Sequence, residues 1–242
     1  MIMLRADLHT HTISSGHAYA TVKEMAEQAA EKGLELLAMT DHAPAMPGSC
    51  GILHFSNLSA LPRQIAGVTL LRGVELNVMD REGAVDLPER VMKRLDWVIA
   101  SLHSNILIPQ KGEDYTALYL ALAENPLIDM IGHPDSPEYP FDMETVVPVW
   151  AAQGKVVEFN DHHIFDLGSG GVERARRLAA LCARHGASVA LDSDAHTCWD
   201  VGRTSRVAAL LGEMGFPNEL ILNLSGQKVL SFVRAKHPNF AM

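Results

Sequence analysis

The sequence has little cysteine and no long apolar run. Its three cysteines, Cys50, Cys182 and Cys198, form no C-x-x-C pair, a spacing that indicates neither a disulfide framework nor a thiolate zinc site. No apolar stretch approaches the roughly 18 residues of a membrane span. The amino-terminal segment turns polar within eight residues, too early for the apolar region of a signal peptide. We therefore predict a cytoplasmic protein with no membrane partner.

Positive charge is also scarce, with 20 Lys+Arg against 29 Asp+Glu and a formal net charge of −9. This balance lacks the basic surface that attracts nucleic acid, so we predict no nucleic-acid partner. Charged residues at 20% and hydrophobic residues at 48% are typical of a globular chain rather than a disordered one. An anionic substrate would have to be held by local positive groups.

Short apolar runs alternate with amphipathic segments, and no repeat or linker divides residues 1–242, which we predict to be a single domain. Thr21 and Glu24 have the spacing of a capping box before the first helix. Seven strand-then-helix units predict an α/β fold with a parallel sheet, and that number favours closure into a TIM-like barrel. The predicted strands are residues 2–8, 34–39, 70–76, 97–102, 128–131, 155–159 and 188–191, and the predicted helices are residues 22–32, 58–65, 88–94, 114–123, 143–152, 172–184, 207–214 and 227–236.

Histidine is abundant, with 12 residues, and several histidines directly follow predicted strands. His9 and His11 follow the first strand, and His42, His103 and His133 follow the second, fourth and fifth. A lone histidine in such a place is more often a capping or surface residue. The carboxyl ends of barrel strands converge on one rim, however, and so many coincidences at that rim favour a shared metal site. The candidate ligands are His9, His11, His17, His42, Glu75, His103, His133, Asp194 and His196.

The number of candidate ligands indicates how many ions they could bind. A catalytic zinc ion uses about three protein ligands, so nine candidates are enough for two or three ions. Imidazole-rich ligation with few carboxylates favours zinc, although manganese or iron also accepts it. Glu75 is a candidate bridge between two ions.

The chain resembles the PHP (polymerase and histidinol phosphatase) family, and within it the YcdX-type phosphatases. The resemblance spans most of the chain, and its motifs occur in the family's order. They are Asp7-Leu8-His9-Thr10-His11-Thr12, Thr40-Asp41-His42, Gly73-Val74-Glu75, Leu102-His103, Gly132-His133-Pro134 and Asp192-Ser193-Asp194-Ala195-His196.

This resemblance implies a distorted (β/α)7 barrel with a trinuclear metal site at the carboxyl ends of the strands. It also implies a ligand set for each of three divalent ions. The first set is His9, His11, Glu75 and Asp194, the second is Glu75, His103 and His133, and the third is His17, His42 and His196.

Two places depart from the YcdX-type pattern, namely Ser104-Asn105 and the segment Asn160-Asp161-His162-His163. Both weaken any transfer of substrate preference, and neither touches a predicted ligand. We interpret His162 and His163 as a pair in an exposed loop.

The resulting hypothesis is hydrolysis of a small phosphate monoester by a metal-activated hydroxide. Arg203, seven residues after His196, is the candidate catalytic cation, and Lys111 is a weaker one. An equally good interpretation is that Arg203 is a surface residue whose charge pairs with Asp200.

Other functions stay open, namely a histidinol-phosphatase-like activity, an amidohydrolase-type metal hydrolase acting on a non-phosphate substrate, and a non-enzymatic metal-binding module. Amidohydrolase-type barrels often carry a carbamylated lysine where this chain has His103, which argues against the second alternative. The sequence also leaves a homo-oligomer open.

The remaining acidic residues and histidines near these motifs have less definite roles. Asp7 and Asp41 directly precede ligand candidates and either orient imidazoles or point to the opposite face. His54 is predicted to lie at the surface, and His185 and His237 are given no chemical role.

Overall fold

The structure is a computed structural model that describes residues 2–166, 170–237 and 240. Over these residues, seven parallel strands run in the order β1-β2-β4-β5-β6-β7-β8, and the short β3 pairs antiparallel with β4. The strands are β1 (Ala6–Asp7), β2 (Leu36–Met39), β3 (Gln64–Ile65), β4 (Val68–Asn77), β5 (Trp97–Ser101), β6 (Met130–Ile131), β7 (Val156–Asn160) and β8 (Val189–Asp192).

Helices connect the strands and pack around the sheet. Part of this pattern follows from local sequence, since Thr21 caps the first helix and the Glu24 carboxylate accepts a hydrogen bond of 2.7 Å from the Thr21 backbone N–H, which confirms the predicted capping box. The helices are α1 (Val22–Glu31), α2 (Ile52–Ser56), α3 (Glu89–Met92), α4 (Thr116–Glu124), α5 (Met143–Ala152), α6 (Asp161–Asp166), α7 (Gly171–His185), α8 (Ser205–Glu213) and α9 (Gly226–Lys236).

The side chain of Asn223 joins the two edge strands. Its Nδ2 donates to the carbonyl of Ala6 in β1 at 3.1 Å and to the carbonyl of Leu191 in β8 at 2.7 Å. Beyond these strands, the His11 N–H donates to the Ala195 carbonyl at 2.9 Å. The sheet is therefore a nearly closed parallel barrel, and the prediction of a TIM-like α/β barrel is confirmed.

Alternate residues of β5 face two different apolar layers. Val98 and Ala100 lie in the core shared with the outer helices, whereas Trp97 and Ile99 lie in a core that includes Val229 of α9. Because Trp97 is the first residue of β5, this contact places α9 at the amino-terminal end of the barrel. The carboxyl-terminal end is thus left available for a site.

Two expectations about secondary structure were wrong. Residues 58–65 do not form one helix: Leu58–Ala60 is a single turn of 3-10 helix, the α-helical segment lies earlier, in α2, and Gln64–Ile65 forms β3. Pro62 explains part of this difference, since a proline disfavours helical geometry at the residue before it. His162 and His163 lie in α6 rather than in a loop. Within the described residues, the structure contains no helix long and apolar enough to cross a membrane.

Candidate metal centre

The structure brings all nine candidate ligands together at the carboxyl-terminal end of the barrel. Each of the seven imidazoles has another of the seven within 6.0 Å, measured between ring centroids. The Asp194 carboxylate lies 3.1 Å from His11 Nε2 and 3.6 Å from His9 Nε2. Positions that are far apart in the sequence therefore form one cluster, as the strand-end rule predicts.

Glu75 lies at the centre of this cluster and is buried. Burial alone would raise the pKa of its carboxyl, but the surrounding imidazoles hold that pKa well below its usual value. Its nearest imidazole nitrogens are His42 Nδ1 at 2.5 Å, His133 Nε2 at 3.2 Å, His9 Nε2 and His103 Nε2 at 3.3 Å, and His11 Nε2 at 3.6 Å.

Several buried atoms of the cluster have no hydrogen-bond partner among the described residues. Buried polar atoms in folded proteins are nearly always hydrogen-bonded, so a convergent group of unpaired acceptors fits a cation. Burial and the neighbouring His42 lower the pKa of His11 to about 3, which keeps its imidazole neutral and able to bind a metal near pH 7. The unpaired atoms are His9 Nε2, His11 Nε2, His42 Nδ1, Glu75 Oε2 and Asp194 Oδ1.

Donor atoms that lie within 4.8 Å of one another form three overlapping groups. The distances do not reproduce the predicted sets one by one, because His42 approaches Glu75 as well as the third set. His17 Nε2 and His196 Nε2 of that set are 3.1 Å apart. The three groups are His9 with His11 and Glu75, His11 with His42 and His196, and His42 with Glu75 and His103.

Two ligand positions have a backbone conformation that side chains other than glycine rarely adopt. The φ angle is 29° at His133 and 55° at Asp194. Strain of this kind costs free energy and is concentrated at functional sites. The backbone at these two positions therefore aims the side chains into the cluster at a cost in stability.

A second set of contacts orients the imidazole rings. His9 Nδ1 donates to Glu158 at 2.7 Å, and His103 Nδ1 donates to Asn77 at 2.9 Å. Such contacts fix which nitrogen faces a metal. Sequence reasoning missed both partners, although a glutamate within the apolar run of residues 155–159 was a visible signal.

Asp41 and Asp7 hold the site in different ways. Asp41 accepts a hydrogen bond of 2.6 Å from the Ser15 hydroxyl, and that hydroxyl accepts one of 3.0 Å from His11 Nδ1. Asp41 thus orients an imidazole through Ser15. Asp7 instead accepts hydrogen bonds from the backbone N–H groups of Ser193 and Gly202 and so fixes the loop that carries Asp194.

Three further histidines lie outside the cluster. His54 Nε2 lies 3.5 Å from the Asp41 carboxylate, and His54 lines a separate surface groove. His237 pairs with Asp129 at 3.0 Å, far along the chain from the ligands. His185 is the last residue of α7.

Seven of the nine candidate ligands form the floor of an open cavity with a volume of about 620 Å³, whereas His9 and His11 are buried and are not among its lining residues. His163 lines this cavity, and its ring stacks on the ring of His133 with centroids 4.7 Å apart and planes 11° apart. The interpretation of His162 and His163 as an exposed loop pair was wrong, because both line the cavity from α6. The lining residues outside the nine candidates are Met46, Pro47, Leu102, Ser104, Asn105, Ser136, Glu138, His162 and His163.

Arg203 and Lys111 are not among the residues that line the cavity. The Arg203 guanidinium donates to Asp166 at 2.9 Å and lies 3.5 Å from His162 Nδ1. Arg203 is therefore one side chain removed from the cavity, and its catalytic role stays a prediction. Lys111 is exposed.

Curated proteins named probable phosphatases are similar to this chain over most of its length. A probable phosphatase from Acetivibrio thermocellus is 41% identical over 230 residues, which cover 95% of each chain. One from Caldanaerobacter subterraneus subsp. tengcongensis is 43% identical over 236 residues, covering 97% of this chain and 93% of that one.

Two solved structures share the fold. The histidinol phosphate phosphatase of Lactococcus lactis, solved with zinc, L-histidinol and phosphate, has a TM-score of 0.59 at 17% identity and covers 88% of this chain and 94% of its own. A chain of an archaeal ribonuclease P has a TM-score of 0.58 at 13% identity, covering 97% of this chain and 90% of its own. At these identities the likeness shows the fold alone. Residues 7–162 match the PHP domain, and together with the curated relatives this match shows that the chain belongs to the PHP domain family.

Proposed function

We propose that this protein is a metal-dependent phosphatase that hydrolyses a small phosphate monoester. The observation that carries the proposal is the convergence of buried, unpaired ligand atoms on the floor of an open cavity. The high identity to curated probable phosphatases supports the same reaction class. We further propose that the ions are three in number and that they are zinc, because imidazoles dominate the donor set; manganese or iron would also accept it.

The protein's own side chains orient the candidate ligands in the absence of a substrate. His9 and His11 present Nε2 to the cluster because Glu158 and Ser15 engage their Nδ1 atoms. Glu75 lies between the ligand sets and would bridge two ions. Divalent ions bound there would supply Lewis acidity, which activates water and offsets the negative charge of a phosphate. The three sets proposed are His9, His11, Glu75 and Asp194; Glu75, His103 and His133; and His17, His42 and His196.

The positive charge for an anionic substrate would come from this floor rather than from arginine or lysine. Within the described part of the chain, neither residue type lines the cavity. Three divalent ions would contribute six positive charges, against two negative charges from Glu75 and Asp194. The chain as a whole carries a formal net charge of −9, so attraction of a phosphate would be confined to the cavity.

Arg203 stays the candidate for an additional cation. It lies beside His162, which lines the cavity, but it is paired with Asp166. A role at the substrate would require its guanidinium to leave that carboxylate. We propose Arg203 as an auxiliary group that acts only in the substrate-bound protein.

The test is elemental analysis of the purified protein combined with a screen for phosphate release from a panel of monoesters. We expect bound divalent metal and phosphate release in the wild type, and loss of both in His11→Ala. His185→Ala, which changes a histidine at the far end of α7, is the matched control and should keep both. Turnover of amides or lactones without phosphate release would instead favour an amidohydrolase-type reaction, and a metal-loaded protein with no turnover would favour a binding module.

A further inference from the structure

His163 occupies the cavity wall without being one of the nine candidate ligands. It is the third residue of α6, which begins directly after β7. Its backbone N–H donates to the Asn160 side chain at 3.0 Å. One face of its ring stacks on His133. The backbone contact and the stacking together hold the ring in one place, with only 15% of the side chain exposed.

Asp135 determines which edge of this ring faces the cavity. Its carboxylate is buried, and neither of its oxygens has a hydrogen-bond partner among the described residues. Oδ1 lies 3.6 Å from His163 Nδ1. Because an unpaired buried carboxylate is costly, the Nδ1 edge is held toward Asp135. The opposite edge, which carries Nε2, is left to contact what enters the cavity.

The position of His163 marks a boundary within the cavity. Ions held by the nine candidate ligands would bind the phosphate at the floor, so the organic part of a substrate must lie against the remaining wall. His163 packs on the ligand candidate His133 and therefore lies where the phosphate ends and the organic part begins. The wall beyond it offers hydrogen-bonding groups from Ser104, Asn105 and Ser136.

We propose that His163 is a specificity-determining residue that selects phosphate monoesters of hydroxyl-bearing alcohols, such as polyols and sugars. This inference rests on the proposed function, since it assumes that the phosphate lies on the floor. A hydroxyl both donates and accepts hydrogen bonds, so it pairs with Nε2 whichever of the two roles that nitrogen takes. A second phosphate or a carboxylate on the substrate would meet Glu138 and, among the described lining residues, no lysine or arginine.

The test measures binding of two phosphonates, which cannot be hydrolysed, to the metal-loaded protein by titration calorimetry. Methylphosphonate probes the floor alone, and 3,4-dihydroxybutylphosphonate adds two hydroxyls at the wall. We expect the wild type to prefer the diol by about 10-fold, the size of one added hydrogen bond. His163→Phe should keep the affinity for methylphosphonate within about threefold and lose the preference.

Two further variants keep the result interpretable. His163→Gln retains a hydrogen-bonding side chain and should recover part of the preference, and His185→Phe should behave as the wild type. Elemental analysis of each variant verifies that the metal content is unchanged. A wild type without preference, or a His163→Phe variant that keeps it, would overturn the inference.

This experiment separates the inference from the proposed function. A preference that depends on His163, in a protein that hydrolyses no phosphate ester, would overturn the proposed function and leave the specificity role standing. Ester hydrolysis together with a preference that His163→Phe does not change would overturn the specificity role alone.

Discussion

The two ends of the barrel differ in how they pair their buried carboxylates, although Trp97 Nε1 and Lys236 Nζ at the amino-terminal end also have no hydrogen-bond partner among the described residues. At the amino-terminal end, the buried carboxylate of Asp129 accepts hydrogen bonds from the Val98 N–H at 2.9 Å and from His237 at 3.0 Å. The ammonium of Lys155 donates to the carbonyls of Asn125 and Ile128. At the carboxyl-terminal end, five buried atoms of the cluster have no hydrogen-bond partner in the described part of the chain, although imidazole nitrogens and carboxylate oxygens lie close to one another there.

This difference separates polar groups that stabilise the fold from those reserved for a ligand. A buried group paired within the chain repays its desolvation, whereas an unpaired one costs stability. The cluster also carries the unusual backbone of His133 and Asp194. Such costs are tolerated where a bound group compensates for them, so changes at the two ends should affect different properties.

Glu75→Gln should cause the largest effect and should act on chemistry. The substitution keeps the shape of the side chain but removes the charge that faces five imidazoles. We expect kcat/KM for phosphate release to fall by at least about 10³-fold, which is about 4 kcal/mol of transition-state stabilisation. Metal content measured on the same samples should fall with it.

The exposed Glu82→Gln is the control for this substitution and should match the wild type. A Glu75→Gln protein with full metal content and full activity would show that the central carboxylate is not a ligand.

Lys155→Met should act on stability alone, because it changes the opposite end of the barrel. The methionine keeps the apolar stem but leaves the carbonyls of Asn125 and Ile128 without their donor. We expect the free energy of unfolding, measured in urea, to fall by about 3 kcal/mol, with kcat/KM unchanged in the folded protein. Lys23→Met, at an exposed position of α1, should cost little. A loss of activity at full stability would break the division between the two ends.

Glu158→Gln tests the contacts that orient the imidazole rings of the cluster. Glu158 is buried, accepts from His9 Nδ1, and also accepts from the His133 N–H at 2.6 Å. Loss of its charge should weaken metal binding by about tenfold, measured by competition with a chelator. The exposed Glu144→Gln, which breaks only the ion pair with Arg184, should leave metal affinity as it is. Unchanged affinity in Glu158→Gln would mean that the ring needs no carboxylate to hold it.

The convergence of the candidate ligands could be predicted because all but His17 lie near the carboxyl end of an apolar strand or within a few residues after it. That pattern depends only on local sequence and on the geometry of parallel barrels. Glu158 was missed because it lies inside β7, where strand residues are expected to pack rather than to support a site, and Asn77, the last residue of β4, was missed because the candidate ligands were sought among histidines and carboxylates. Their partners are distant in the sequence, and single-sequence patterns carry no information about such pairs.

The error at α6 has a related cause. The segment from Asp161 to His163 is polar and follows a strand, which is typical of a loop. In the structure the buried Asp161 carboxylate accepts from the backbone N–H groups of Arg206 and Val207 at the start of α8. This long-range contact holds the first residue of α6 in place, and with it the position of His163. A local pattern could not reveal it.

His54→Gln should cause the smallest effect, a loss of stability that appears only below about pH 9. His54 lies beside the cluster but outside the cavity, and 25% of its side chain is exposed. Burial would lower the pKa of its imidazole, but the neighbouring Asp41 carboxylate and Cys50 outweigh burial and raise it to about 9. The ordinary value is about 6.5. The folded protein therefore binds this proton more tightly than the unfolded chain does.

The stability that His54 contributes is complete below about pH 6.5 and is lost as the pH rises through about 9. After allowance for solvent screening, we expect His54→Gln to lower the free energy of unfolding by about 1 kcal/mol at about pH 6 and by nothing measurable at about pH 10. Urea denaturation at both pH values, with His185→Gln as the control, measures this difference. An equal loss at both would show that His54 stabilises the carboxyl-terminal end by packing rather than by charge, because packing does not titrate.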